Sequence, residues 1–276
     1  TWEARDNSQM MIWRPFYFAR LVVDPANPER LFKAGGGLIQ SEDGGKSFAY
    51  SGGSGHGDWH DLWIDPADPK HVVAGDDGGL WLSYDGGNRW WKSNNLPISQ
   101  FYVAVDAKDP YRVYGGLQDN SSWVGESAYP GGISTAQWSV VNGGDGFWTL
   151  PDPTDPDLVY SEAQGGYAGV TDLRTRAYRD IQPKAGPHEK LRFNWNAPLH
   201  LSPTQKGTLY LGAQFLFRSR DRGMTWERIS PDLTTNDPEK QRQEESGGVT
   251  IDNSVAEMHG TIYTVGESRL DPRTIW

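Results

Sequence analysis

One short pattern, S-x-D-x-G-x-x-W with Phe in place of Trp once, constrains the fold of this chain more than any other feature. We call each copy a box. The boxes occupy residues 41–48, 83–90 and 219–226, with Asp43, Asp85 and Asp221 at their third positions. The first two boxes lie 42 residues apart. Three copies of so particular a pattern, two of them one period apart, indicate a repeat protein.

A second periodic feature is a turn, Asp-Pro in most copies, that follows a short apolar run. Its prolines fall at positions 25, 66, 153 and 203, with Ala107 in the matching place of the third repeat. The intervals are therefore 41, 41, 46 and 50 residues, which suits four-stranded propeller blades. Each repeat reads as strand, Asp-Pro turn, strand, Gly-rich or polar turn, strand, box or worn box, strand.

These periods predict an all-β chain that forms a β-propeller of four-stranded blades. We count five whole blades and the start of a sixth over residues 1–276, as one propeller segment of a longer chain. The full ring would then have seven or more blades. The polar stretch 231–257 interrupts the period and is expected to form a long inserted loop.

Composition excludes several classes of function. The net charge is −10 and no basic run occurs, which argues against a nucleic-acid partner. No apolar run approaches the roughly 20 residues of a membrane-spanning helix. The chain has no cysteine, so disulfides, thiolate metal sites and cysteine nucleophiles are excluded. The mean hydropathy of −0.67 is low for a globular chain. The 13 Trp, 12 Tyr and 9 Phe residues offset it, because each aromatic side chain can bury a large area.

The box aspartates admit two interpretations. They could be catalytic, or they could accept hydrogen bonds from the backbone of their own turns. A residue that recurs once per blade belongs to the architecture. We therefore predict that Asp43, Asp85 and Asp221 are structural and that the final Trp or Phe of each box packs between blades.

The order of the strands separates two faces of the propeller. Asp-Pro turns and boxes join first to second and third to fourth strands, so they share one face. The opposite face receives the second-to-third turns and the links between blades, where propellers commonly carry function. The candidate ligand-binding residues on that face are Asp58, Trp59, His60, Asp76, Asp77, Gln118, Asp119, Asn120, Trp123, Asp145, Asn194, Trp195, Asn196, Gln214, Glu257 and His259.

Two of these carboxylates, Asp119 and Asp145, are the candidate catalytic pair. Paired carboxylates beside aromatic platforms are what glycoside hydrolysis requires, one as acid and one as base or nucleophile. The alternative for each is a turn-capping role, because Asp-Gly and Asp-Asn are ordinary turn sequences.

No cofactor and no transition-metal site are predicted. His56, Asp58 and His60 are close in sequence, but strand alternation sends His60 and Asp61 to opposite sides. Calcium is the one cation that the aspartate and carbonyl oxygens of this face could bind, although no twelve-residue calcium loop is present.

The boxes resemble the Asp-box, or bacterial neuraminidase, repeat of sialidases, of sortilin-type domains, of xyloglucan-degrading propellers and of a photosystem II assembly factor. The chain is more similar still to exported bacterial repeat proteins of sortilin-like or glycosyl-hydrolase-like type. That likeness is carried by the motifs at 115–120, 143–147, 193–196 and 229–234. It implies a periplasmic or extracellular protein, whose signal segment is not in this sequence.

Three functions are compatible with the motifs. The function that we favour from the sequence is an extracytoplasmic recognition or scaffold propeller that binds a protein or carbohydrate partner on the face opposite the boxes. An alternative is a glycoside hydrolase that uses paired carboxylates at the propeller channel. A further alternative is a subunit or assembly factor of a larger complex.

Overall fold

The chain is all-β and is built from successive four-stranded antiparallel blades of the β-propeller class. The computed structural model describes residues 3–12, 20–51, 55–96, 98–242, 256 and 258–276. In that part of the chain the strands form five sheets, each containing four strands that are consecutive in the sequence.

The first two blades comprise β1 (Leu21–Val23), β2 (Leu31–Lys33), β3 (Ile39–Ser41), β4 (Ala49–Tyr50), β5 (Trp59–Ile64), β6 (Val72–Asp76), β7 (Gly79–Ser83) and β8 (Trp91–Lys92). The other three comprise β9 (Tyr102–Val105), β10 (Arg112–Gly116), β11 (Ser122–Glu126), β12 (Trp138–Asn142), β13 (Gly146–Asp152), β14 (Asp155–Ala163), β15 (Tyr167–Asp172), β16 (Tyr178–Asp180), β17 (Leu199–Leu201), β18 (Leu209–Gly212), β19 (Leu216–Ser219) and β20 (Glu227–Arg228). A one-turn helix, α1 (Gln9–Ile12), and three 3-10 turns (Thr135–Gln137, Gln164–Gly166 and Glu239–Gln241) complete the regular structure of the described residues.

The turns fall where the repeat pattern predicts. The prolines at 25, 66, 153 and 203 all lie between the first and second strands of a blade, and the three boxes each join the third strand to the fourth. The blade made of β9–β12 has no box, and an eleven-residue connection that carries the Thr135–Gln137 turn takes its place.

In each box the Ser and Asp side chains close the turn. Ser219 Oγ accepts from Gly223 N at 2.8 Å, and Asp221 Oδ1 accepts from Thr225 N at 2.8 Å. The hydroxyl and N–H of Thr225 lower the pKa of the Asp221 carboxyl to about 2. Asp43 is held in the same way, chiefly by Ser47, and Asp85 chiefly by the N–H of Arg89; both have lowered pKa values. The three carboxylates are thus occupied by their own turns.

The first of two compact units, Thr1–Ile98 with Gly247–Ser254, contains the blades β1–β4 and β5–β8. Its core is made by facing strands of the two blades, with Phe32 from one blade and Trp59 and Trp81 from the other. Arg30 ties the blades together: its Nε donates to Asp24 Oδ2 at 2.6 Å and its Nη2 to the carbonyl oxygen of Pro69 at 2.5 Å.

The second unit, Ser99–Ser246 with Val255–Trp276, contains the remaining three blades. Two apolar clusters hold it together, one around Tyr114 and Val159 and a larger one around Tyr160, Leu199 and Leu211. The blades β9–β12 and β13–β16 are tied by Arg112, which repeats the contacts of Arg30 in the first unit.

The predicted inserted loop is anchored at its start. Leu233 N donates to Gln214 O at 3.0 Å, and Asp232 forms a salt bridge of 2.9 Å with Arg192. Residues 243–255 and 257 of that loop lie outside the described residues. None of the helices in the described part of the chain has the length and apolar character needed to cross a membrane.

Candidate functional site

In the second unit the main chain of Asp119 contacts the side chain of Asp145, on which three segments converge. The main-chain N–H of Asp119 donates to Asp145 Oδ1 at 3.2 Å, and the indole Nε1–H of Trp195 donates to Asp145 Oδ2 at 2.8 Å. The N–H of Asp145 itself donates to Gln164 Oε1 at 2.7 Å. Both carboxylate oxygens and the backbone of Asp145 are therefore fixed by different segments.

Backbone hydrogen bonds explain why the turn that carries Asp119 and the link that carries Asp145 come together. The turn between β10 and β11 carries Asp119, and the link from β12 to β13 carries Asp145. Gly146 N donates to Leu117 O and Ser121 N donates to Gly144 O, each at 2.9 Å. Asp119 has a φ of +66°, a left-handed conformation that Asp tolerates better than most residues.

An aromatic groove of about 240 Å³ lies on the first strands of two neighbouring blades in the same unit. It is lined by Tyr102, Val103 and Ala104 of β9, by Phe147, Trp148, Thr149 and Leu150 of β13, and by Asn196. Trp148 is 39% exposed. Since β13 starts directly after Asp145 and Asn196 follows Trp195, the groove is continuous in sequence with the residues that hold the carboxylate.

A third carboxyl group, Glu162, was not found by the sequence argument. It lies in β14, is fully buried, and accepts through Oε1 from Gly166 N at 3.2 Å and from Ala197 N at 3.1 Å. Burial raises the pKa of the Glu162 carboxyl well above its usual range. Strand alternation carried a signal, because Glu162 shares a face with Tyr160, the inward aromatic of that strand.

The other predicted residues of the second unit have local structural partners. Gln214 is buried and binds Arg192 N and Lys190 O. Trp123 Nε1 donates to Asn120 O at 2.6 Å. These contacts support loops of the face and argue against direct ligand contact by Gln214 and Trp123.

The remaining amides and the histidine of this unit are more accessible. The Nδ2 of Asn120 donates to Gln118 O, and the Nδ2 of Asn194 donates to Thr261 Oγ1. His259 is exposed. Glu257, also predicted for this face, lies outside the described residues.

Five predicted ligand-face residues belong to the first unit instead. Trp59 is buried and its ring packs at 6.0 Å from Trp81 and 5.8 Å from Trp90, so it is a core residue and not an open platform. Asp76 is also buried, and its oxygens accept from His56 N and Gly78 N. The side chains of Asp76 and Trp59 are thereby built into the blade.

His60, Asp77 and Asp58 are the accessible members of this set. His60 Nε2 lies 2.5 Å from Asp77 Oδ1. Asp58 is half-buried, has a φ of +52°, and donates its N–H to Gly36 O at 3.2 Å. Across the described ranges, no group of three or more His, Asp or Glu side chains is arranged to hold a metal ion.

Comparisons with known proteins point in one direction. No protein-family profile matches the chain. It is 27% identical to a xyloglucanase of Paenibacillus sp. and 27% identical to a xyloglucanase of Hypocrea jecorina. Each alignment covers 76% of this chain but only 26% and 25% of the relatives, so the chain spans about a quarter of their length.

Among solved structures, the GH74 xyloglucanase of Xanthomonas campestris is 18% identical, with a TM-score of 0.41 over 96% of this chain and 44% of that protein. The GH74 enzyme of Niastella koreensis is 16% identical, with a TM-score of 0.34 over 77% of this chain and 38% of that protein. These scores are low, so the fold assignment rests on the five antiparallel blades themselves.

Proposed function

We propose that this chain belongs to a carbohydrate-active propeller protein and that its second unit carries a glycoside-hydrolysing site. The observation that carries the proposal is the arrangement at Asp145, a carboxylate held by Asp119 N–H and the Trp195 indole beside an aromatic groove. Glycosidases need two carboxyl groups next to surfaces on which sugar rings stack.

The two carboxyl groups take different roles in this proposal. Asp145 is fixed through both oxygens, so it suits a base or nucleophile whose direction of attack must be constant. Asp119 projects from a turn, is half-buried, and is assigned as the proton donor to the leaving oxygen. The reaction would cleave one glycosidic bond with addition of one water molecule.

The groove supplies the proposed binding surface. Trp148 and Tyr102 present rings at its wall, and Asn196 supplies an amide at its end. A sugar chain bound there would stack its apolar ring faces on the aromatic residues and reach the Asp145 end of β13. Aromatic side chains contribute about 0.5–1.5 kcal/mol beyond the area that they bury.

Xyloglucan is the first substrate to test, because both curated relatives are named xyloglucanases. A polysaccharide of this kind is met outside the cytoplasm, so we also propose a periplasmic or extracellular location. We also propose that the boxes are related to the Asp-box and sortilin-type repeats that they resemble.

The test measures release of reducing ends from xyloglucan and from a panel of other β-glucans. If Asp119 is the acid and Asp145 the base or nucleophile, Asp119→Asn and Asp145→Asn should each lower turnover by about 100-fold or more. Asp221→Asn is the matched control, since that aspartate belongs to a box of the same unit and should leave turnover unchanged.

The outcomes separate the functions that the sequence left open. Turnover that survives both substitutions would reject the assigned residues. Binding of the glycan without turnover would reject hydrolysis and favour a recognition module. Absence of both on every glycan tested would leave a protein partner or an assembly role as the better explanation.

A further inference from the structure

Glu162 is a buried acid for which the described residues supply no counter-ion. It has no exposed surface, and its Oε2 has no hydrogen-bond partner within the part of the chain that the structure describes. No salt bridge to Glu162 is formed among those residues either. Oε1 alone is satisfied, by the N–H groups of Gly166 and Ala197. An ionised carboxylate in such a place would be costly, whereas a neutral acid is tolerated.

The two N–H donors that Glu162 binds belong to two of the three segments that hold Asp145. Gly166 ends the Gln164–Gly166 turn, and Gln164 accepts the Asp145 N–H. Ala197 lies two residues after Trp195, whose indole binds the Asp145 carboxylate. One oxygen atom thus bridges both supports of the candidate catalytic group.

A backbone contact shows that these supports form one unit. Gly165 N donates to Trp195 O at 2.9 Å, so the turn and the Trp195 segment are also joined directly. Glu162 lies behind this junction, on the buried side, and does not line the aromatic groove. Glu162 would therefore affect a bound substrate indirectly, through the segments that it holds in place.

We propose that Glu162, as a neutral carboxylic acid, is a positioning residue that locks the Gln164–Gly166 turn against the Trp195 segment and so sets the orientation of Asp145. This inference rests on the proposed function of Asp145. Loss of the lock displaces the Trp195 indole from the carboxylate, and a displacement of about 1 Å can cost on the order of 100-fold in rate.

Two substitutions of similar volume test the lock. Glu162→Gln keeps an oxygen that accepts both N–H groups and replaces the acid O–H with an amide N–H. Glu162→Met fills the same space without any hydrogen bond. If the group acts as a neutral acid, the Gln variant keeps the site and the Met variant loses it.

The direct readout is the NMR signal of the Trp195 indole N–H, assigned by its disappearance in Trp195→Phe. We expect the Gln variant to keep the wild-type shift and the Met variant to move it toward the value of Asp145→Asn, where the acceptor is weakened. In the hydrolysis assay we expect kcat about 10- to 100-fold lower for Met, with KM little changed.

This readout needs no substrate, so it separates the two proposals. A Met variant with the wild-type indole signal and kcat would overturn the positioning role, and so would a Gln variant as impaired as Met. Displacement of the indole in a protein that hydrolyses no glycan would overturn the proposed function and leave the lock intact. If the Met variant does not fold, Glu162→Asp replaces it, because its shorter side chain cannot span both N–H donors.

Discussion

At the scale of single residues, the carboxyl groups of this chain divide by what occupies their oxygens. The carboxylate oxygens of box aspartates such as Asp221 accept from N–H and hydroxyl groups of a single turn. The Asp145 carboxylate accepts from the Asp119 turn and from Trp195. Glu162 Oε1 accepts from Gly166 and Ala197, while its Oε2 has no partner among the described residues. Both Asp145 and Glu162 bind the Trp195–Ala197 segment, which is distant from each of them in the sequence, and this shared contact is why we assign them to the site.

The buried acid predicts a pH dependence of stability. Burial raises the folded-state pKa of Glu162 above that of the unfolded chain. The contribution of Glu162 to the free energy of unfolding is therefore fully present below its pKa in the unfolded chain. It is lost as the pH rises toward the folded-state pKa, and the free energy of unfolding then falls by at most about 1.4 kcal/mol per pH unit.

The measurement is urea unfolding of wild type and Glu162→Gln across that range. The stability of wild type relative to the Gln variant should fall as pH rises above about 4.5. A difference that grows with pH would show that Glu162 folds as an anion.

Roles set by neighbours in the sequence could be predicted for single residues, whereas roles set by tertiary packing could not. Box residues follow from local turn chemistry, so Asp43, Asp85 and Asp221 could be assigned from their own neighbours. Burial depends on which strand packs on which, so Trp59 was predicted on the ligand-binding face although it lies in the core. Glu162 was missed for the same reason, since only its tertiary contacts show that it joins two loops.

At the scale of elements, β10 and β13 approach each other so closely at Gly116 that no side chain fits there. A Cβ on Gly116 would lie 2.3 Å from the carbonyl carbon of Gly146 and from the nitrogen of Phe147. Both atoms are backbone, so neither can swing aside. The approach brings the Asp119 turn within reach of Asp145, which explains why position 116 is a glycine.

Gly116→Ala should therefore destabilise the protein by about 2 kcal/mol or more, as expected for an overpacked interior. Gly143→Ala is the matched control, because a Cβ there meets nothing within 4 Å. Thermal unfolding of the two variants provides the comparison. Equal, small losses in both would contradict the close approach.

Neighbouring blades are joined by a repeated arginine clamp. Arg112 Nε binds Asp106 at 3.1 Å in its own blade, and its Nη2 binds Pro156 O at 2.6 Å in the next. The side chains of Arg112 and Asp106 are 9% and 4% exposed. Arg30 makes the equivalent pair of contacts in the first unit.

Removal of the clamp should leave a buried carboxylate unpaired. Arg112→Leu is expected to lower the free energy of unfolding by about 3–5 kcal/mol. The control is Arg174→Leu. The ion pair of Arg174 with Asp172 is on the surface, so this substitution should cost much less stability than Arg112→Leu. Similar losses for both in urea unfolding would argue against the clamp.

At the scale of the whole molecule, the repeat pattern predicted the blades well, because period and turn chemistry are written locally in each copy. The Asp-Pro turns and boxes join the strands that the sequence assigned to them. The accessibility of the candidate ligand-face residues was predicted less well, since some of the links between strands carry buried side chains and others carry exposed ones. Asp119 and Asp145 were predicted as a pair on one face, whereas the contact between the Asp119 N–H and Asp145 Oδ1 depends on how the blades pack.

The central claim is that a glycan occupies the groove on the first strands of the second unit, next to Asp145. The most direct measurement is calorimetric titration of wild type and Trp148→Ala with a xyloglucan oligosaccharide. Trp91→Ala is the control, as Trp91 is an exposed tryptophan of the first unit. We predict affinity lower by about tenfold or more for Trp148→Ala and unchanged for Trp91→Ala. Equal affinity in all three proteins would contradict the assignment of the groove.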